Sequence, residues 1–151
     1  MMFSKSTEYS IRAIIFIALH GSPEKLIGKA DIASELDFPE AFLAKVLQNL
    51  VKKNLIVSIK GPGGGFFLKK TTSNYSILDI VEILEGLDPL HKCGLGLNGC
   101  NDSNPCPIHD EYQPVKHKIR DALSSKTIEE ISLNIASGKY SLKSEPHLAQ
   151  V

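Results

Sequence analysis

The sequence predicts a mainly α protein with a small β-hairpin wing, organised as a winged helix-turn-helix domain plus a long dimerisation helix. Three observations predict it. Residues 28–54 carry two short amphipathic patterns separated by the turn DFP. LIVSIK and FFLKK then flank the turn GPGGG, which reads as a hairpin. Later, Tyr112, Val115, Ile119 and Ala122 recur at steps of three and four with Leu123 beside them, the spacing of a helix-helix seam. A two-helix turn followed directly by a hairpin is the chain order of a winged helix-turn-helix.

Each element follows from its residues. TEYSIRAIIFIALH (7–20) is apolar on two faces, Tyr9, Ala13, Phe16, Ile17 and His20 on one stripe and Ile11, Ile14, Ile15 and Leu19 on another, so this helix needs two partners. Gly21 and Pro23 stop it. Ala30, Ile32, Ala33 and Leu36 space one short helix; Phe42, Leu43, Val46, Leu47 and Leu50 space the next, with Pro39 at its opening. Beyond the hairpin, Ile77, Ile80, Val81, Leu84 and Leu87 share a helix face that Gly86 closes. The 112–123 seam is too short for an independent coiled coil, and the surplus apolar face of 7–20 is the expected reinforcement. Thr127 and Glu130 form a capping box for a last helix with Ile128, Ile131 and Ile135 inward. Three regions result: 1–74, the DNA-binding winged domain; 75–137, the linking helix, cysteine loop and dimerisation helices; 138–151, a flexible tail that loses periodicity.

Composition bounds the function. A chain of 151 residues with 42% apolar content can bury a core, and no apolar run approaches the roughly 20 residues of a membrane span. The N-terminus lacks the pattern of a signal peptide, so the expected location is the cytoplasm, with no membrane partner. The formal net charge is zero, and any surface for nucleic acid must therefore be local. No histidine and carboxylate stand at a catalytic spacing, which argues against an enzyme or a small electron carrier.

The second helix of the pair leaves Glu40, Ala41, Ala44, Lys45, Gln48 and Lys52 facing outward, and Lys45 and Gln48 suit base edges or phosphates in a major groove. The same face would also serve as an ordinary solvated surface. The turn Gly61, Pro62, Gly63, Gly64 and Gly65 has more glycine than a turn requires, so its backbone is free to approach a duplex, with Lys60 at its base and Lys69 and Lys70 at its far end. A nucleotide phosphate loop is disfavoured, because no Lys-Ser or Lys-Thr pair follows and no helix starts there.

All the cysteines, Cys93, Cys100 and Cys106, lie in one loop with His109 close behind, spaced C-x6-C-x5-C-x2-H. Three cysteines cannot all pair, and a reducing compartment keeps them as thiols or metal ligands. Three thiolates and an imidazole suit zinc or an iron-sulfur cluster by softness. The wide spacing differs from the C-x2-C knuckle common in structural zinc sites and can wrap a larger group. Cluster, zinc and unligated thiols all stand at this point.

The chain resembles the Rrf-two (BadM-type) family of bacterial winged-helix transcription regulators over about residues 3 to 135. The match lies in TEYSIRAIIFIALH, DIASELDFPEAFLAKVLQNLVKKNLI, KGPGGGF, SILDIVEILEG and the cysteine loop ending CPIH. The resemblance implies a homodimer built on the helix after the cysteine loop, a partly palindromic double-stranded DNA operator, and repression controlled by an iron-sulfur cluster. It implies Cys93, Cys100 and Cys106 as ligands. The fourth ligand it implies is either His109, as in members with a two-iron cluster, or Glu8 of the partner subunit, as in members with a four-iron cluster. Two positions depart from the family pattern. The first cysteine gap is one residue longer than the usual five, and Lys60 stands where a minor-groove arginine is common, which implies looser groove reading. The alternative is a winged-helix regulator whose loop holds structural zinc or stays empty and which answers another signal.

Overall fold

The computed structural model describes residues 2–143. Its elements are α1 (Lys5–His20), α2 (Lys29–Leu36), α3 (Glu40–Lys52), β1 (Ile56–Ile59), β2 (Gly65–Leu68), α4 (Lys70–Ser73), α5 (Ile77–Glu85), α6 (Asp88–His91), α7 (His109–Ser124) and α8 (Ile128–Ala136). The fold is therefore mainly helical with one antiparallel hairpin.

α1 is the central helix. Ser4 caps it by accepting from the Thr7 N–H, and Ala13, Ile14 and Ile17 are fully buried. It packs against α2, α3 and β2, and also against α5 and α8. Its second apolar face is thus covered by α8 of the same chain. This differs from the expectation that the face reinforces a dimer seam: Ile128 of α8 is fully buried with Ile131 and Ile135 packed beside it, so α8 takes up most of that face and leaves only Ile11 and Leu19 half-buried.

The turn between α2 and α3 is fixed by Asp37, which takes the left-handed conformation (φ 52°), and by Phe38, whose ring meets Tyr9 edge-on with centroids 4.3 Å apart. Arg12 lies over both rings, 4.6 Å from the Tyr9 centroid and 4.7 Å from that of Phe38. α3 buries Leu43, Val46, Leu47 and Leu50 and leaves Phe42 half-buried against Tyr9.

The hairpin pairs Ile56 with Leu68 and Ile59 with Gly65. A third segment joins it: Ile27 and Phe66 exchange backbone hydrogen bonds of 2.9 and 2.8 Å. The sequence pattern gave no sign of this pairing. A Cβ on Gly64 would lie 2.2 Å from the Ile59 carbonyl oxygen, and one on Gly65 would lie 2.7 Å from that of Ile27. These two glycines are required by the protein's own turn and by the Ile27 segment, whatever approaches from outside. The second strand ends sooner than its pattern suggests. Lys69 donates to Asn54 Oδ1 at 2.7 Å and Lys70 opens the single turn of α4, where the Thr72 hydroxyl donates to the Leu55 carbonyl.

α5 begins with a capping box between Ser76 and Asp79 and stops at Gly86 (φ 80°). α8 begins with the second box, Thr127 and Glu130, and its Ile128 N–H donates to the Tyr75 carbonyl. Ile80 and Ile128 join the residues of α1, α2 and α3 in one core, so the segments before and after residue 75 share their packing. Residues 139–143 run back along the body, where Leu142 packs on the core and Lys143 pairs with Glu35 at 3.0 Å. The rest of the tail expected to be flexible, 144–151, lies outside the described residues.

Candidate metal centre and nucleic-acid face

The cysteine loop joins α6 to α7. Leu90 of α6 is buried and anchors its entrance. A reverse turn follows, in which the Gly96 N–H donates to the Cys93 carbonyl and Gly96 takes φ 71°. Asn101 Oδ1 accepts from the N–H groups of Ser103 and Asn104, an Asx turn that folds the chain back toward α7.

This folding brings Cys93, Cys100 and Cys106 together, with all three sulfurs within 4.8 Å of one another. Cys93 Sγ and Cys106 Sγ are 3.5 Å apart. His109, in the first turn of α7 and 6% exposed, places Nδ1 3.2 Å from Cys100 Sγ. Its Nε2 lies 2.9 Å from Asp102 Oδ1. A carboxylate on the far nitrogen fixes the ring and directs the near nitrogen at the sulfurs, the usual arrangement around a ligating histidine. Lys116, one turn beyond Tyr112, lines the same cavity and is 4% exposed.

The electrostatics differ between the sulfurs. The backbone N–H groups of Leu95 and Leu97 point at Cys93 and, with Cys106 and Cys100 as further donors, lower its thiol to about 7 against some burial. Cys100 is raised: the Cys106 N–H favours its thiolate, but burial and the adjacent Cys106 and Cys93 sulfurs outweigh it. Crowded thiols of this kind repel as anions and are stabilised by a shared cation. Three soft sulfur donors and one imidazole fit a zinc ion or an iron-sulfur cluster, so the residues present suit the group that the resemblance implies.

The other expected fourth ligand, Glu8, lies on α1 with its carboxylate 3.8 Å from Lys5 Nζ and partly exposed.

Glu40, Ala41, Lys45, Gln48 and Lys52 are exposed on α3 and Ala44 is half-buried. A groove of about 390 Å³ runs between α3 and the hairpin, lined by Lys29, Ala44, Gln48, Val51, Lys60 and Phe66. It unites three of the expected DNA-contacting residues with Lys29, which the sequence alone did not single out. The signal was available, since Lys29 stands at the first position of α2. At the hairpin tip, Lys60, Gly61, Pro62 and Gly63 are exposed.

The seam residues divide. Tyr112, Ile119 and Leu123 are half-buried, and Lys116 shares their stripe on the side of α7 that packs against α5. Val115 and Ala122 stand exposed on another side. Among the described residues no helix is long and apolar enough to cross a membrane.

A helix-turn-helix, a wing and a loop whose three thiols converge are the features of a winged-helix regulator of transcription. The family model for Rrf2, iron-dependent transcriptional regulator, matches residues 3–134, and the chain belongs to that family. An Aquifex aeolicus protein described as an HTH-type transcriptional regulator is 32% identical, the match spanning 87% of this chain and 91% of its own. The HTH-type transcriptional regulator IscR of Pectobacterium carotovorum is 26% identical over 89% of this chain and 80% of its own. Two solved structures share the fold: CymR, the global cysteine regulator of B. subtilis (TM-score 0.71, 21% identity, 87% of this chain and 95% of that one), and T. potens IscR (TM-score 0.69, 22% identity, 92% and 91%). These relatives regulate transcription and are not enzymes.

Proposed function

We propose that this chain is a cytoplasmic, homodimeric, DNA-binding repressor whose operator affinity is set by an iron-sulfur cluster held at Cys93, Cys100 and Cys106. The observation that carries it is the convergence of three cysteines, separated by six and five residues, to within 4.8 Å. His109 is the favoured fourth ligand, because Asp102 holds its ring with Nδ1 toward Cys100; this supports the two-iron form over the four-iron form with Glu8 of the partner subunit. When bound, the cluster supplies a centre that responds to nitric oxide, oxidation or iron-sulfur supply.

The chain's own residues connect that loop to DNA. His109 is both loop and helix, so a force on its ring acts on the start of α7. α7 packs on α5, and Glu85 at the end of α5 accepts from the hydroxyls of Ser4 and Thr7, both at 2.7 Å, at the start of α1. α1 supports α3 directly. In the dimer, Val115 and Ala122 of α7, with Tyr112, Ile119 and Leu123 beside them, form the seam, and the two α3 helices enter successive major grooves about 34 Å apart. Lys45 and Gln48 reach base edges; Glu40, Ala41, Ala44 and Lys52 border them, and Lys60 with Gly61 to Gly65 follows the adjacent backbone.

The same donors accept zinc, which would leave the loop structural and the signal elsewhere. The test is an absorption spectrum on protein purified without oxygen, with iron, acid-labile sulfide and zinc counted per chain. Visible absorption with matched iron and sulfide supports the cluster; a colourless protein that reconstitutes none and holds zinc supports the second reading.

A further inference from the structure

Lys116 is the one charged residue among the buried polar groups of the described residues, apart from the titratable His109. Its ammonium donates to the carbonyl of Lys92, the residue before Cys93, at 3.1 Å, and lies 5.3 Å from the centre of the Tyr112 ring. Among the described residues it forms no ion pair. A buried ammonium with one neutral acceptor and an aromatic face retains donors without partners, and such a charge is costly unless an anion faces it. The cavity that its side chain lines is bounded by Cys93, Cys100, Cys106 and His109. Ligating a metal as thiolates, the three cysteines would carry three negative charges, and a divalent ion would then leave the site negative with a neutral histidine.

We infer that Lys116 is the built-in counter-charge of the cysteine site, stabilising the anionic, metal-loaded loop and favouring the reduced form of a bound cluster. The inference rests on the reading that this loop holds a metal group, but it concerns a charge and not the identity of that group. Adding an electron makes the centre more negative, and a cation held beside the cavity by the Lys92 carbonyl favours that state. Removing the cation therefore lowers the midpoint potential.

Two substitutions separate charge from shape. Lys116→Met keeps the length of the side chain and removes both the charge and the donor; Lys116→Gln removes the charge and keeps a donor for the Lys92 carbonyl. Each full-length dimer is reconstituted without oxygen and titrated potentiometrically, and each metal-free chain is titrated with zinc against a chromophoric chelator at one pH. In both variants the one-electron equilibrium is expected to move about tenfold toward the oxidised form, a potential about 59 mV lower. Zinc affinity is expected to fall by a similar factor. Potentials and zinc affinities equal to those of the unsubstituted chain overturn the assignment. A shift in Met alone also overturns it, because the hydrogen bond would then be the active feature. If no cluster forms but zinc affinity falls in both variants, the counter-charge stands and the cluster reading fails. A chain that takes neither metal overturns both.

Discussion

His109 is held from both sides: its Nδ1 is 3.2 Å from Cys100 Sγ and its Nε2 is 2.9 Å from Asp102 Oδ1. The two contacts make His109 the ligand expected to be lost at greatest cost. His109→Ala should lower retention of the metal group about tenfold or more, and Asp102→Asn should have a weaker effect in the same direction. Glu8→Gln should leave iron content and spectrum unchanged. Iron and sulfide counts on the three variants check this, and a Glu8 variant that loses its cluster while the His109 variant keeps it would reverse the ligand assignment.

The sulfurs differ in acidity, so the metal-free chain should react unevenly. With its thiol near 7, Cys93 is largely thiolate at pH 8, whereas Cys100, raised above the ordinary range, stays a thiol. Lowering the pH through 7 removes the Cys93 thiolate, and its alkylation should slow about tenfold per unit below that point. Brief iodoacetamide treatment followed by peptide mass mapping should find Cys93 modified ahead of Cys100.

The DNA contacts proposed for α3 and the hairpin are of two kinds. Gln48→Ala should cost roughly 1–3 kcal/mol on the operator and relax discrimination at one base pair. Lys60→Ala should weaken binding to all duplexes alike and reduce the salt slope by about 1. Fluorescence anisotropy against operator and unrelated DNA at several salt concentrations distinguishes the two patterns.

Gly64 is fixed by the wing itself. Gly64→Ala places a methyl against the Ile59 carbonyl oxygen and should destabilise the chain by roughly 1–3 kcal/mol, even with DNA absent. Urea unfolding measures the change. Equal stability with weaker DNA binding would mean that this glycine serves the duplex and not the turn.

Glu85 joins the end of α5 to the start of α1. Burial is the largest single influence and raises its carboxyl, but hydrogen bonds from the Ser4 and Thr7 hydroxyls and the Ser4 N–H together outweigh it and lower it overall. A carboxyl depressed in the folded state contributes stability above its unfolded value and loses it as the pH falls through its folded value. Glu85→Gln should therefore narrow the stability difference between neutral and mildly acidic solution. Thermal unfolding of both chains from pH 7 down to pH 3 tests this.

Much of the fold was legible because local signals agreed with packing. The stripe at Leu43, Val46, Leu47 and Leu50, the capping residues Ser76 and Thr127 and the stop at Gly86 all follow from spacing and cap chemistry. The missed features depend on distant segments. Ile27 pairs with Phe66 across the hairpin, and α8 covers the second face of α1. Spacing along the chain holds no record of either meeting. At the cysteine loop the candidate ligands stood out as residue types clustered in one loop. Their supports did not, because Asp102 looks like a loop acid and Lys116 looks like a polar break in the seam. Lys116 stands four residues after Tyr112 and three before Ile119, which is the stripe that the structure buries.

Under the proposed function, a group held in the cysteine loop controls DNA affinity. The most direct measurement is operator binding by one anaerobic preparation of dimer, before and after its metal group is removed, with dimer mass checked in both states. Operator affinity is expected to change by about 5-fold to 150-fold on removal of the group, with affinity for unrelated DNA nearly constant. Equal operator affinity in the two states, with the dimer intact, would contradict it.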